Sequence, residues 1–360
     1  MQLYFIDTYQ IETKFKSNWK KKILIWYSLK GRILPWRDKK NQNFYCIWIS
    51  EVMLQQTGVD IVIPYYKRFL KKWPNLDSFF KANLNEILKM WQGLGYYQRA
   101  RNLFKAKEFL KREKISLNSE SLKRLPGIGD YISCSISAIL NDEACAVIDT
   151  NIRRVISRVF QLNVNDKDFK IYLKLIVSQL TPQKNNGAYC QSLMDLASLI
   201  CKPTNPLCDA CPIESFCLSK NFSKLKKRKV IIKKKKERVG VIFFLQNRKK
   251  FLVDISKDKL FEGLYCFPMS RFVDLEKKRS EFQIQKDLIF EWFKFNKIKG
   301  DYELVSKIDH EFSHFCLKLL IVRIRSKYKK VFKNYEWVND EEFQGKPLSK
   351  LTLKVKEVVM

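Results

Sequence analysis

Leu125-Pro126-Gly127-Ile128-Gly129 joins two segments with helical periodicity, one ending near Lys123 and the other starting near Asp130. Two glycines in a tight turn between helices leave backbone N–H groups exposed at the start of the second helix, an arrangement suited to a phosphate. The same turn also serves as a plain joint between packed helices. The stretch therefore predicts a helical hairpin and leaves open whether it binds a phosphate.

An acidic residue follows the hairpin at a distance of twenty residues. Asp149 lies in Val147-Ile148-Asp149-Thr150-Asn151 and precedes another helical pattern. The ordinary role of Asp at such a position is an N-cap, in which its side chain accepts a hydrogen bond from the first turn. The alternative is a carboxylate with a chemical role, and the segment taken alone favours the cap.

Four cysteines lie within seventeen residues, at gaps of six, two and five: Cys201, Cys208, Cys211 and Cys217. This spacing predicts one metal centre with four thiolate ligands, either a tetrahedral zinc ion or an iron–sulfur cluster. Only one C-x₂-C pair is present, whereas zinc ribbons use two, so one 4Fe–4S cluster is favoured over zinc and over disulfides. The other cysteines stand in apolar contexts and are predicted to be buried free thiols: Cys46, Cys134, Cys145, Cys190, Cys266 and Cys316.

The chain has 360 residues and a formal net charge of +32 at pH 7. This excess of Lys and Arg favours a polyanionic partner such as nucleic acid. The composition typical of AT-rich genomes explains part of the charge, so the charge supports nucleic-acid binding without establishing it. No stretch approaches the roughly 18 apolar residues of a membrane span, and the N-terminus lacks a signal-peptide pattern. These features predict a protein of a reduced cytosol with no membrane partner.

Helical periodicity extends from about residue 14 to 220, and strand-like patterns follow it. The basic stretch 223–238, between the helical and the strand-like parts, is predicted to be a solvated linker. Residues 239–245 and 251–255 are predicted to form a β-hairpin, with a further strand at 319–324 and a helix at 285–295. The predicted parts are an extension, a helical region, the linker and a smaller α+β domain, with bounds 1–15, 16–222, 223–238 and 239–360.

The hairpin, the acidic residue and the cysteine loop occur in an order that resembles helix–hairpin–helix DNA glycosylases with an iron–sulfur loop. Ser50-Glu51-Val52-Met53-Leu54-Gln55-Gln56-Thr57 and Trp91-Gln92-Gly93-Leu94-Gly95-Tyr96-Tyr97 look like signature segments of adenine DNA glycosylases of the MutY type. The resemblance implies a mostly α N-terminal region of two helical subdomains plus the iron–sulfur loop 201–217, and a smaller C-terminal α+β domain similar to Nudix hydrolases. It also implies a monomer in the bacterial cytoplasm, associated with the nucleoid. About the first 15 residues stay unexplained.

The resemblance implies an enzyme that acts on double-stranded DNA. It would flip out an adenine that faces 8-oxoguanine or guanine and hydrolyse its N-glycosidic bond. Glu51 matches the general acid that protonates adenine, and its apolar helix would raise its pKa by desolvation. Asp149 matches the carboxylate that stabilises the oxocarbenium-like sugar, electrostatically or by transient covalent attachment. Other residues expected in this site are Tyr131 and Asn151 in support, and Arg37 and Gln191 in contact with the adenine.

Further matches concern DNA and the base opposite the adenine. Gln56 and Tyr96 are expected to enter the base stack, with Thr57 and Leu94 beside them, and the hairpin glycines Gly127 and Gly129 to face phosphates. Phe312, Ser313 and His314 match the loop that recognises 8-oxoguanine. A metal site on His310 and His314 is not favoured, because strand-like sequence flanks both. The acidic Mg²⁺-binding box of Nudix enzymes is missing after Pro268, so this domain is expected to hydrolyse nothing.

Two alternatives stand beside this hypothesis. The first is a bifunctional glycosylase and lyase similar to endonuclease III, which uses a Schiff-base lysine where this chain has Tyr131. A phenol cannot form an imine, so that alternative is disfavoured. The second is a non-catalytic iron–sulfur DNA-binding protein. The sequence also departs from the family pattern at Thr150, where Gly is usual, and at Asp130, where a basic residue is common.

Overall fold

A computed structural model describes residues 10–220, 235–258, 260–275, 279–298, 300–325 and 335–360. The described residues divide into two compact units, one formed by 10–81 with 102–220 and one by 82–101 with the residues from 235 onward. Within these ranges no helix combines the length and apolar character that a membrane span requires.

Fourteen helices are defined within the described residues, and most begin at a polar cap. Asn43, Asn118 and Ser349 each accept a hydrogen bond from a backbone N–H of the first turn. In chain order the helices are α1 Thr13–Lys30, α2 Phe44–Leu54, α3 Val59–Lys72, α4 Leu76–Phe80, α5 Leu84–Met90, α6 Gln98–Arg112, α7 Ser119–Leu122, α8 Asp130–Asn141, α9 Thr150–Val159, α10 Phe169–Leu180, α11 Asn186–Asp195, α12 Glu281–Asn296, α13 Asp340–Gln344 and α14 Lys350–Val359.

In the first unit, one part of the core forms around α2, which is buried at every position from Tyr45 to Met53. A cluster of aromatic rings packs together there, with Trp48 6.2 Å from Phe79 and Phe69 4.7 Å from Trp73 between ring centroids. Buried aromatic side chains contribute large apolar areas to the core, so this cluster anchors α2 firmly.

A second part of that core lies among α1, α9, α10 and α11. Trp19 is fully buried, and its Nε1–H donates to the Tyr189 hydroxyl at 2.8 Å. Residues before the predicted start of the helical region take part: Ile11 is buried, and the Phe15 ring lies edge-on to Phe216 at 4.8 Å. Chain segments far apart in sequence therefore close this core.

The second unit is built on a seven-stranded mixed sheet with the central order β3-β2-β1-β6-β5. β1 and β6 are parallel, and every other pairing is antiparallel. Helix α12 covers one face, where the Trp292 ring stacks on Phe243 at 4.0 Å. The strands are β1 Lys236–Asn247, β2 Lys250–Ile255, β3 Tyr265–Cys266, β4 Val273–Asp274, β5 Glu303–Glu311, β6 Phe315–Arg325 and β7 Tyr335–Val338.

The predicted fold class is confirmed: a helical region precedes a smaller α+β domain. The hairpin of β1 and β2, the strand β6 and the helix α12 all form where the sequence predicts them. The predicted linker extends too far, because β1 already begins at Lys236, where it pairs with Phe315 of β6. Residues 223–234 of that linker lie outside the described residues.

The prediction of free thiols is wrong for two cysteines, since Cys134 and Cys145 form a disulfide with their Cα atoms 5.3 Å apart. Asp142 ends α8 in the left-handed conformation and reverses the chain, which returns Cys145 to the side of the helix. That separation suits a disulfide, and the sequence gives no sign of it. Cys316 is only partly buried, while Cys46, Cys190 and Cys266 are buried free thiols as predicted.

The two hairpin glycines differ in what they require, which gives a test. Gly127 has φ of +84°, and a Cβ there would lie 2.6 Å from Asn102 Cβ, whereas Gly129 has ordinary backbone angles and open space. Gly127→Ser should lower the free energy of unfolding by about 1–2 kcal/mol from the backbone alone, and more from the clash. Gly129→Ser is the matched control and should change it by less than about 0.5 kcal/mol, because Ser is a good N-cap. Urea unfolding measures both, and equal losses would contradict the assignment.

Candidate active site

Glu51 lies on α2 and is buried, with 8% of its surface exposed. Among the described residues, its Oε2 atom has no hydrogen-bond partner. Desolvation by burial is the main cause that raises its pKa to about 7, and the hydroxyls of Ser135 and Tyr131 and the charge of Arg37 oppose the rise. The carboxyl group is therefore substantially protonated near neutral pH.

Asp149 is the N-cap of α9, so the cap interpretation is confirmed. Its Oδ1 accepts the backbone N–H of Ile152 at 2.7 Å, and its Oδ2 accepts Nδ2–H of Asn151 at 2.8 Å. Each oxygen of the carboxylate thus has a donor, and the group has a fixed direction. The cap also places it at the N-terminus of a helix, where the helix dipole favours a negative charge.

The two carboxyl groups lie close enough to influence one another. The charge of Asp149 contributes to the raised pKa of Glu51. Tyr131, in the first turn of α8, has its pKa raised well above its usual value, chiefly by burial and then by the charges of Glu51 and Asp149 among others. The tertiary structure therefore brings together Glu51, Asp149 and Tyr131, which are spread over almost a hundred residues of sequence.

Sequence reasoning missed two members of this cluster. Ser135 lies one helical turn after Tyr131 and acts on the pKa of Glu51. Cys190 is buried, and desolvation followed by the charge of Glu51 raises the pKa of its thiol to about 12. The i, i+4 spacing of Tyr131 and Ser135 on α8 is the one local signal that could have identified Ser135.

Arg154 connects this cluster to the cysteine loop, and it too was missed. Its Nη1–H donates to Asn151 Oδ1 at 3.1 Å, and Asn151 donates in turn to Asp149. On the other side, Arg154 Nε–H donates to the carbonyl of Cys201 at 2.9 Å and Nη2–H to that of Ala197 at 3.0 Å. A chain of hydrogen bonds thus leads from the Asp149 carboxylate to the start of the cysteine loop.

The four cysteines of the loop are partly buried, and none of them belongs to a disulfide of the described residues. Burial first, and then the neighbouring cysteines, raise the pKa of Cys211 to about 12, so the sulfurs lie near one another. Arg158 donates to Cys201 Sγ at 3.4 Å and to the carbonyl of Lys202 at 2.7 Å. Within the described ranges, no three His, Cys, Asp or Glu side chains are arranged as the ligands of a single metal ion.

Arg37 and Gln191 are both committed to partners. Arg37 forms a bidentate ion pair with Asp195, at 2.7 and 2.9 Å, and Asp195 is fully buried. Gln191 Oε1 accepts the hydroxyl of Tyr27 at 2.5 Å. Because the charge of Arg37 lowers the pKa of Glu51, this group borders the Glu51 cluster.

The residues predicted to face DNA lie on turns. Gln56 is exposed and has φ of +55°, and Thr57 follows it, with its hydroxyl 3.4 Å from the carbonyl of Gln55. Such a conformation is unfavourable for a residue with a side chain and marks a functional turn in many proteins.

Asp130, the departure at the hairpin, pairs with Lys123 at 2.5 Å, which offsets its negative charge there.

In the second unit, Tyr96 also adopts a positive φ, +49°, and its side chain is exposed. Gly93 and Gly95 on either side of Leu94 have positive φ as well, so this turn is tightly wound. Leu94 is buried within the described residues. The Arg99 guanidinium lies 5.6 Å from the Tyr96 ring.

The predicted 8-oxoguanine loop is the turn between β5 and β6. Ser313 and His314 are exposed at its tip, with Ser313 Oγ 3.1 Å from His314 Nδ1. Phe312 is half-buried, and its ring stacks on Phe315 at 4.6 Å. The turn thus presents two polar side chains on an aromatic base.

Known proteins similar to this chain indicate its family. A family model described as "HhH-GPD superfamily base excision DNA repair protein" matches residues 49–183. An adenine DNA glycosylase of Buchnera aphidicola subsp. Schizaphis graminum is 36% identical over 326 residues, which cover 87% of this chain and 89% of that protein. The adenine DNA glycosylase of Mus musculus is 36% identical over 217 residues, which cover 57% of this chain and 41% of the mouse protein.

Solved structures match the helical region. A thermostable thymine-DNA glycosylase aligns with a TM-score of 0.51 and 26% identity, covering 57% of this chain and 97% of its own. Endonuclease III in a non-covalent complex with DNA aligns with a TM-score of 0.50 over 60% of this chain and all of its own, and at 18% identity this shows the fold alone. The long match to the Buchnera protein decides the family. The chain belongs to the adenine DNA glycosylase family and is a base-excision-repair DNA glycosylase that hydrolyses N-glycosidic bonds.

Proposed function

We propose that this protein removes adenine that faces 8-oxoguanine or guanine in double-stranded DNA, by hydrolysis and without a lyase step. One observation carries the proposal: Glu51 is a buried carboxyl with a pKa raised to about 7, next to the anchored carboxylate of Asp149. Breaking a glycosidic bond requires an acid for the leaving group and a negative charge for the sugar. Two carboxyl groups in different environments supply both.

Glu51 is the general acid in this proposal. Its neutral form donates a proton to the flipped adenine, at N7, which makes the base a better leaving group. The pKa of about 7 lies near the operating pH, where a general acid is most effective. Its Oε2 atom, which lacks a partner within the described residues, is the atom that a base would meet.

Asp149 stabilises the positive charge that develops on the sugar as the bond breaks. Its hydrogen bonds from Ile152 and Asn151 hold the carboxylate in place before the reaction, so no reorganisation is needed. Electrostatic stabilisation and a transient covalent bond both use this same geometry. Asn151 thereby acts as a positioning residue for Asp149.

Tyr131 supports the absence of a lyase step. It lies in the first turn of α8, at the position where the lyases of this superfamily carry a Schiff-base lysine. A phenol cannot form an imine with the sugar aldehyde. The expected product is therefore an abasic site in an intact strand.

The four cysteines are proposed to hold one 4Fe–4S cluster. Their donor set fits, because four cysteine side chains on one loop match the thiolate ligands of such a cluster. When bound, the cluster supplies a structural centre that orders the loop. Arg158 then holds the loop through the carbonyls of Lys202 and Pro203, at 2.7 and 2.8 Å.

The DNA-facing residues complete the proposal. In the first unit, Gln56 and Thr57 would contact DNA beside the flipped base, and the turn of Gly127 and Gly129 would face a phosphate. In the second unit, Leu94 and Tyr96 would also contact DNA. Ser313 and His314, with Phe312 beneath them, would contact 8-oxoguanine from a Nudix-like module that catalyses nothing. The proposed form is a monomer in the bacterial cytoplasm, on the DNA of the nucleoid.

The assigned acid gives the central prediction. Glu51→Gln should abolish adenine excision from a duplex with adenine opposite 8-oxoguanine, because an amide N–H is far too weak an acid to protonate the leaving base. Binding to the same duplex should persist. Excision is measured in single-turnover reactions, with hot alkali to cleave abasic product, and a duplex with adenine opposite thymine tests the opposite-base preference.

The exposed Glu357 on α14 provides a control, and Glu357→Gln should excise adenine at the normal rate. Folding provides a second control. The pKa of Glu51 is raised in the folded protein, so its neutral form favours folding at low pH, and this contribution is lost as the pH rises through about 7. At pH 8 the Glu51→Gln protein should therefore be more heat-stable than the wild-type protein. Full excision activity in the Glu51→Gln protein would remove Glu51 from the mechanism.

A pH profile makes a separate prediction. The protonated fraction of Glu51 falls above its pKa of about 7, so the excision rate constant should fall about tenfold for each pH unit beyond that point. Single-turnover rates between pH 6 and pH 9 measure this. A rate that rises or stays level across pH 7–9 would contradict a neutral Glu51 as the proton donor.

The cluster makes a prediction that does not depend on activity. Protein purified without oxygen should contain about four iron and about four sulfide per chain. Cys208→Ser should lower both, because it removes one ligand, whereas Cys316→Ser in the second unit should leave both unchanged. About one zinc and no iron per chain would contradict the proposed cluster.

A further inference from the structure

Tyr27, in the last turns of α1, forms a hydrogen bond with Gln191 of α11 across 164 residues of sequence. Its hydroxyl donates to Gln191 Oε1 at 2.5 Å, at the short end for an O–H···O bond. Burial raises the pKa of the Tyr27 phenol, so it keeps its proton at neutral pH and acts as the donor. The carbonyl end of the Gln191 amide is therefore tied to α1.

The Tyr27 ring is held on two sides. A Cβ at Gly31 would lie 2.8 Å from the ring atom Cε2, so the chain passes close beneath the ring. The Arg37 guanidinium lies over it, 5.4 Å from the centroid. Arg37 is fixed in turn by Asp195, which is fully buried and also accepts Nε–H of Arg32 at 2.7 Å. Tyr27 thus has little freedom to release Gln191.

This arrangement borders the proposed acid. Cys190, the neighbour of Gln191 in sequence, lies with its Sγ 3.9 Å from Ser135 Oγ. Ser135 and Arg37 both act on the pKa of Glu51. Among the described residues, no hydrogen-bond partner is assigned to Gln191 Nε2. This atom is also not one of the buried polar atoms that lack a partner. An amide whose oxygen is occupied presents its two N–H donors to whatever lies beside it.

We propose that Tyr27 is a positioning residue for base selection: it holds the amide of Gln191 so that N–H donors face the flipped base. Such donors fit a base with an acceptor on its Watson–Crick edge. Adenine has an acceptor at N1, whereas guanine has an N–H there, which would meet the amide donor-to-donor. N7 is left for the proton from Glu51. The inference rests on the proposed function and adds the residue that orients its base contact.

The consequence concerns the amide orientation. Without the Tyr27 hydroxyl, the Gln191 side chain can turn its carbonyl towards the base. A carbonyl can only accept a hydrogen bond, so the hydrogen bond from the amide to adenine N1 would be lost. Loss of one neutral hydrogen bond to the base corresponds to about a fivefold change in rate ratio. Tyr27→Phe keeps the ring between Gly31 and Arg37 and removes only the hydroxyl.

The experiment compares adenine with 1-deazaadenine, which lacks the N1 acceptor, in duplexes opposite 8-oxoguanine. Single-turnover excision gives the ratio of the two rates for each protein. Wild-type protein should favour adenine, and Gln191→Ala should lose about fivefold of that preference. Tyr27→Phe should lose a similar factor, and the double variant should lose no more than Gln191→Ala, because both changes remove one contact.

Tyr45→Phe is the matched control. Its hydroxyl is also buried and donates to the carbonyl of Trp73 at 2.8 Å. This change should affect heat stability and leave the rate ratio unchanged.

The outcomes separate this inference from the proposed function. If the wild-type protein excises no adenine, the proposed function fails. If it excises adenine and Tyr27→Phe keeps the wild-type ratio while Gln191→Ala loses it, the positioning role of Tyr27 is wrong. Losses that multiply in the double variant would equally overturn it, since Tyr27 would then act independently of Gln191.

Discussion

Glu51 lies on a helix that is buried from Tyr45 to Met53, and the exclusion of water from its carboxyl group governs the chemistry of the first unit. A carboxylate in such a place lacks its hydration shell, so the neutral form is favoured and the pKa rises to about 7. Burying a polar atom without a partner costs roughly 1–3 kcal/mol in proteins. The aromatic packing of Trp48 with Phe79 contributes in the opposite direction, because it stabilises the helix that carries Glu51.

The carboxyl group of Asp149 lies in a different environment from that of Glu51. Both of its oxygens have donors, and the helix that it caps provides a favourable dipole, so its charge is supported where that of Glu51 is not. In the proposed mechanism, Glu51 would give a proton and Asp149 would face a cation. Arg154 donates hydrogen bonds both to Asn151 and to the Cys201 carbonyl, which extends this support to the cysteine loop.

Asp195 is a third carboxyl group, and it is fully buried yet charged. Burial alone would raise its pKa, but the hydrogen bonds and charges of Arg37 and Arg32 hold the pKa below its usual range. Removing one partner from such a group is expensive, because the remaining charge stays without solvent. This rigidity explains how a residue remote from the acid can set the positions of Arg37 and, through it, the Tyr27 ring.

The sequence by itself determined the local features: the helical periodicity, the cap at Asp149, the β1–β2 hairpin, the glycine-bearing turn at Gly127 and Gly129, and the signature segments that resemble the family. Such features follow from residues a few positions apart, because backbone conformations, caps and hydrophobic periodicity act at short range. The sequence also suggested a raised pKa for Glu51 from its apolar neighbours. Only the tertiary structure decided the Tyr27–Gln191 bond, the Asp195 ion pairs, the Cys134–Cys145 disulfide and the approach of Asp149 to Glu51. Desolvation and electrostatic pairing depend on distance in space, and chain segments a hundred residues apart acquire that distance only when the core closes.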